Sequence, residues 1–165
     1  MKKLSEPREY LKNFMDAIEP LGEKTSCILW QLPGKLHVNP GKLDHFCSLL
    51  GSDHIHVLEF RHPSWFSGAV EKIIEGYKNI VICSLSAPGD LPEDLYVNRG
   101  IAYLRFHGKK DWYRYNYSDH ELDNWSGKVK NAGVRQLYAY FNNDVDAHAP
   151  ANALAFAKKV AEDPG

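Results

Sequence analysis

Residues 79–85 read Asn-Ile-Val-Ile-Cys-Ser-Leu, an apolar run broken only by Ser84. A strand with one wet face would alternate apolar and polar residues. This one does not, so it reads as a strand covered on both faces, the condition of a parallel sheet layered with helices. It is too short for a helix, and its flanks punctuate it. Val70, Ile73, Ile74 and Tyr77 upstream recur at helical spacing, and residues 86–98 downstream are rich in Pro, Gly and acid and read as a loop.

Outward from this strand the same unit recurs. Upstream, residues 54–60 (HIHVLEF) read as a strand, followed by the loop RHPSW. Before it, Pro40 opens a helix with Leu43, Phe46, Cys47 and Leu50 on one face, stopped by Gly51. Earlier still, TSCILWQLP reads as a buried strand ended by Pro33. The first helix is expected to be capped by Ser5, with Glu6 and Pro7 in its first turn and Leu11, Phe14, Met15 and Ile18 at helical spacing. Downstream, IAYLRFHG (101–108) is a fourth strand and RQLYAYFN (135–142) a fifth. Between them lie the loop KKDWYRYNY and a helix opened by a Ser118–Glu121 capping box, with Leu122, Trp125 and Val129 as its buried stripe and Gly133 at its end. An alanine-rich helix through Leu154, Phe156 and Val160 closes the pattern. Strands alternating with helices predict an α/β fold with a parallel sheet, in one domain spanning residues 1–165.

Composition sets limits on function. The 165 residues are 44% hydrophobic and 25% charged, with a formal net charge of −1, so no global basic field draws the chain to nucleic acid or an anionic membrane. No apolar stretch reaches the roughly 18 residues of a membrane span, and the N-terminus lacks the apolar core of a secretory signal. The expected location is cytoplasmic. Cys27, Cys47 and Cys83 form no CxxC pair and read as buried, inert thiols.

The strands share a second feature: each breaks into polar residues at its C-terminal end. The breaks are Gln31, then Glu59 and Arg61, then Arg105 and His107, then Asn142, Asn143 and Asp144. In parallel α/β folds that edge is where ligands bind. Residues two apart in a strand share a face, so Glu59 pairs with Arg61 and Arg105 with His107. The reading is a pocket for a small phosphorylated or carboxylated ligand. Arg61 and Arg105 supply the guanidinium forks, and Gln31, Asn142 and Asn143 supply polar contacts. Gly108 allows close backbone approach, and His107 and Glu59 are the candidate catalytic acid and base. The alternative for the same charges is a structural ion pair in a non-catalytic barrel fragment.

Other chemistries find less support. Lys109, Lys110, Trp112, Tyr113, Arg114, Tyr115 and Tyr117 mix cations with aromatics, a pattern that can track phosphates and stack bases, and nucleic-acid binding through residues 109–117 is the alternative function. His54 and His56 share a face, but it is opposite that of Glu59 and Arg61. No ligand spacing of the HExxH kind occurs, and neither does a nucleophile elbow, a phosphate loop or a dinucleotide fingerprint. No metal and no cofactor are expected.

The strings LWQLP, LEFRHPSWF, YLRFHG, Tyr117-Ser118 with Leu122 and Trp125, and YFNND with Ala149 and Asn152 resemble, in order, the YecE-like family, domain of unknown function 72. The resemblance spans nearly the whole chain. It implies a TIM barrel of eight strand–helix units, of which about five have counterparts here, so the expected fold is TIM-barrel-like and incomplete. It implies that the family's N-terminal third, with its first strands, has no counterpart; the exposed sheet edges then leave open a second chain that completes the barrel, self-association, an open twisted sheet or marginal stability. It implies no settled reaction, and whether the protein is an enzyme stays open.

Overall fold

The computed structural model describes residue 4 and residues 7–162. The expected Ser5 cap with Glu6 lies outside the described residues. Two compact units follow one another, Met1–Ile82 and Cys83–Gly165, and the boundary falls inside one strand.

The first unit holds helix α1 (Arg8–Ile18), strand β1 (Cys27–Gln31), helix α2 (Pro40–Ser48), strand β2 (Ile55–Glu59), helix α3 (Gly68–Glu75) and the first residues of strand β3 (Ile80–Ser86). β1 pairs with β2 in parallel, Cys27 opposite Ile55 through Gln31 opposite Glu59, and β2 pairs with β3 in parallel from His56 and Ile80. The expected helix faces are the buried ones: Leu43, Phe46 and Cys47 on α2, and Val70 and Ile74 on α3. Pro40 opens α2, and the Asn39 side chain caps it by accepting from the Lys42 N–H at 2.9 Å. On α1 only Leu11 is buried, while Phe14 lays its ring 4.9 Å from that of Trp30.

The second unit holds the end of β3, strand β4 (Val97–Asn98), strand β5 (Ile101–Phe106), helix α4 (Asp119–Asn131), strand β6 (Gln136–Phe141) and helix α5 (His148–Ala161). β5 lies between β3 and β6 and is parallel to both. Ala102, Leu104 and Phe106 alternate into a core with Leu122, Trp125 and Val129 of α4 and Phe156 of α5, and Phe106 stacks on Phe141 at 4.3 Å. The capping box forms as expected: Ser118 Oγ accepts from the Glu121 N–H, and the Ser118 N–H donates to Glu121 Oε2 at 2.8 Å. Leu154 of α5 points to solvent.

One element departs from the sequence reading. Within residues 86–98, read as a loop, Val97 and Asn98 form a short strand antiparallel to β5. The two residues joining β4 to β5, Arg99 and Gly100, both have positive φ, 53° and 77°. That is the type I′ geometry whose twist suits a two-residue hairpin. The sheet pairing is therefore mostly parallel, with one antiparallel edge. All seven residues of β3 are buried, as its unbroken apolar run requires.

Candidate functional site

In the second unit, hydrogen bonds beyond the strand ends fix the polar residues. The His107 N–H donates to the Ser86 carbonyl at 2.7 Å, and the Asn142 N–H to the Phe106 carbonyl at 2.8 Å. Each bond adds a rung to its ladder and holds a polar side chain at the C-terminal edge. Arg105 stands on the sheet face opposite the helices, half-buried. Its Nε donates to Asn142 Oδ1 at 3.3 Å, so the ends of β5 and β6 bring together two of the expected ligand-binding residues. His107 is 1% exposed, with the Trp112 and Tyr113 rings 5.6 and 5.9 Å from its own.

Gly108 answers to the fold of its own loop. Its φ is +101°, and an added Cβ would lie 2.3 Å from the Asp111 carbonyl oxygen and 2.8 Å from Tyr115 Cβ. The sharp turn lets residues 109–117 fold back, and the Tyr113 N–H reaches the His107 carbonyl at 2.7 Å. Asn143, expected to touch ligand beside Asn142, is turned the other way and fully buried. Its Nδ2 donates to the Tyr115 carbonyl and to Asn152 Oδ1, both at 2.7 Å. Asn152 Oδ1 also accepts from the Tyr117 N–H at 3.2 Å, and its Nδ2 donates to Asn116 Oδ1 at 3.1 Å and the Tyr117 carbonyl at 3.3 Å. The pair thus fastens the loop through its backbone. Asn143 Oδ1 itself is buried with no hydrogen-bond partner among the described residues.

A second network braces the other side of this loop. The Tyr117 hydroxyl accepts from the Gly108 N–H at 2.9 Å and donates to Ser86 Oγ at 2.9 Å, and Ser86 Oγ donates to Glu93 Oε1 at 2.9 Å. Lys109 bridges Glu93 at 3.0 Å and Glu121 at 3.6 Å. Tyr115 donates to Glu121 Oε1 at 2.7 Å, which together with burial pushes its phenol up to about 12. Burial alone would raise the Glu121 carboxyl. The Ser118 N–H, the hydroxyls of Tyr115 and Ser118 and the Lys109 charge outweigh it and hold the group below the usual range. Burial raises the Tyr117 phenol above its ordinary value.

These contacts bear on the basic-aromatic loop. Lys109 is matched by two carboxylates, and Arg114 lies 3.7 Å from Asp146. Tyr115 is committed to Glu121 and Tyr117 is buried, while Lys110, Trp112 and Tyr113 stay exposed.

In the first unit, Glu59 is fully buried and forms an ion pair with Arg61 through Oε1 and Nε, so the shared face read from their spacing holds. Gln31, one register position across, is exposed. The loops after β1 and β2 are tied by the Val38 N–H to Ser64 Oγ at 3.0 Å and by Trp65 Nε1–H to the Leu36 carbonyl at 2.7 Å. His62 Nδ1 accepts from the Ser64 N–H at 3.2 Å, which in the neutral ring leaves the proton on Nε2 and no free lone pair there for a metal. His56 is spoken for as well: Nδ1 accepts from Trp30 Nε1–H at 3.0 Å, and Nε2 donates to the Gly51 carbonyl at 3.1 Å. Burial lowers its pKa, opposed by the Gly51 carbonyl. Among the described residues no group of three or more His, Cys, Asp or Glu is placed to hold a metal ion, and no helix is long and apolar enough to cross a membrane. Cys47 and Cys83 are buried, Cys27 half-buried, and burial pushes the Cys47 thiol up to about 12.

The sequence reading gave no role to Ser86, Glu93 and Asn152. Ser86 and Glu93 fell in or beside a stretch read only as loop. Asn152 sits in an alanine-rich helix, and nothing local signals that its amide meets a loop about 35 residues back.

No functionally curated protein matches. A crystal structure of a DUF72 family protein from Thermotoga maritima superposes with a TM-score of 0.79 at 27% identity, covering 98% of this chain and 68% of that one. Two crystal structures of a DUF72 family protein from Enterococcus faecalis superpose with TM-scores of 0.80 and 0.78 at 19% and 20% identity, covering 98% and 96% of this chain and 68% and 74% of theirs. The family model described as "Protein of unknown function DUF72" matches residues 1–165, and the chain belongs to that family.

Proposed function

We propose that this DUF72 protein binds a small anionic ligand, a phosphate ester or carboxylate, at the C-terminal strand edge of its second unit. The observation that carries the reading is the Arg105–Asn142 contact, a half-buried guanidinium steadied by a neutral amide across neighbouring strand ends. The amide orients the plane of the guanidinium, and a planar fork suits a bidentate anion. His107 follows on the same strand as the acid–base candidate. Trp112 and Tyr113 lie against its ring, so proton exchange with a ligand requires these two rings to move. Arg61 is ion-paired with the fully buried Glu59. The chemistry this arrangement suits is acid–base, without a cofactor.

The parallel strand–helix alternation supports an incomplete TIM-barrel-like architecture read as one domain. The nucleic-acid reading is weaker, because Lys109 and Arg114 face carboxylates of their own chain.

The test is a thermal-shift titration with inorganic phosphate and with acetate at constant ionic strength. A ligand that binds only the folded chain stabilises it by about 2.7 kcal/mol at a hundredfold excess over Kd. The stabilisation is expected for the native chain and for Lys110→Ala, and lost in Arg105→Ala. Equal shifts with and without Arg105, or none with either anion, would overturn the proposal.

A further inference from the structure

Trp112 and Tyr113 carry rings that the fold does not bury. They are 39% and 42% exposed, while Trp30, Trp65 and Trp125 are buried. Their exposure does not come from an open sheet edge. The loop that carries them follows β5, an inner strand paired with β3 and β6, and its own unit flanks it on both sides. Tyr117 meets Ser86 on one side, and Asn143 reaches the Tyr115 carbonyl on the other. Tyr113 is moreover held at a φ of +67°, a left-handed conformation that is uncommon and strained for an aromatic residue. Its N–H donates to the His107 carbonyl at 2.7 Å, and its carbonyl accepts from the Val145 N–H at 3.1 Å. Backbone strain kept in place by surrounding bonds clusters where ligands are clamped.

The rings stand beside the proposed anion site. His107 follows Arg105 by two residues, about 7 Å along an extended chain, and the Trp112 ring lies 5.6 Å from that of His107. The Tyr113 ring is set 5.8 Å from that of Trp112 and tilted by 50°, so the two make an angled wall. Resting on the reading of Arg105 as the phosphate contact, we infer that Trp112 and Tyr113 form a base-stacking subsite and that the ligand class is a nucleoside monophosphate. Its phosphate lies on Arg105, its base against Trp112 and its ribose between them. An indole offers a flat face to any nucleobase, and stacking needs no hydrogen-bond code. The loop holds one nucleotide and not a strand. Lys109 is matched by Glu93 and Glu121, and Arg114 lies 3.7 Å from Asp146, so the cations that would track further phosphates are answered by carboxylates of the same chain.

Calorimetric titration with adenosine monophosphate, the corresponding ribose phosphate and inorganic phosphate at fixed ionic strength tests this, with tryptophan fluorescence as a second readout. The nucleotide is expected to bind about tenfold more tightly than the ribose phosphate, the worth of one stacked base. It is also expected to quench Trp112, the one tryptophan open to solvent among the described residues. Trp112→Ala should lower the affinity for the nucleotide to that for the ribose phosphate, and Trp112→Phe should keep most of the difference. Tyr113→Gly removes the second ring at a φ that glycine adopts without strain and should lower the preference in part. Equal affinity for the two esters would overturn the inference. So would a preference that survives Trp112→Ala in a chain whose melting curve shows it folded, or a short oligonucleotide bound more tightly than the nucleotide. Failure of the subsite and failure of the anion site are distinguishable. Phosphate and ribose phosphate bound through Arg105 with no gain from the base would sink the subsite alone, whereas no binding of any of the three would sink the anion site and the subsite with it.

Discussion

Replacing Asn152 by alanine removes four hydrogen bonds from a side chain that is 5% exposed. The Tyr117 N–H loses its acceptor, and one of the two Asn143 amide protons loses its own. Stranding a buried donor costs about 1–3 kcal/mol. Alanine returns about 0.6 kcal/mol through its higher helix propensity in α5. The net expectation is a loss of about 2–4 kcal/mol in urea unfolding. The loss should be spatially specific: amides in 109–117 should exchange faster, while those of β1 and β2 keep their rates relative to global unfolding. Asn152→Asp is a sharper probe. It keeps one acceptor but turns an oxygen toward the Tyr117 carbonyl and Asn116 Oδ1, both acceptors, and should be at least as damaging. A loss below about 0.5 kcal/mol for alanine, or unchanged exchange in the loop, would refute the view that this amide fastens it.

Three further outcomes follow from the geometry. Gly108→Ala forces a Cβ to within 2.3 Å of the Asp111 carbonyl oxygen at a φ of +101°, and should cost about 2–4 kcal/mol, measured by denaturant midpoint. Arg61→Ala removes an ion-pair partner of a fully buried carboxylate and should cost about 3 kcal/mol, while Glu59→Gln with Arg61→Met should recover most of it in the same assay. His56 has a lowered pKa, so the unfolded chain takes up the proton first as pH falls. Its contribution is present above about pH 6.5 and is lost as pH drops toward the folded value, so Tm should fall between pH 7.5 and 5, less steeply in His56→Gln.

The legible part of the fold is the part written in periodicity. The unbroken run of β3 announced two covered faces, and the stripes of α2, α3 and α4 appeared where spacing put them, because burying one face of each helix requires that spacing. The Arg99–Gly100 hairpin escaped because only a pair of positive φ angles distinguishes it, and arginine does not advertise one. At the candidate site, alternation correctly set Arg105 away from the core-facing Leu104 and Phe106. Asn142 and Asn143 both lie past the end of β6 at Phe141 and read alike in sequence, yet Asn142 accepts from Arg105 while Asn143 donates to the Tyr115 carbonyl and Asn152. The loop 109–117 reads in sequence as a mix of cations and rings. Its carboxylate partners, Glu93, Glu121 and Asp146, are distributed along the sequence and meet it only in the fold.

The most direct test of the anion site is to watch the Arg105 Nε–H resonance by NMR as inorganic phosphate is added at fixed pH and ionic strength. A saturable shift of that signal, weakened in Asn142→Ala, is the result expected if the guanidinium and its amide partner form the site. A signal that stays still while phosphate saturates the chain elsewhere, or does not bind at all, would contradict it.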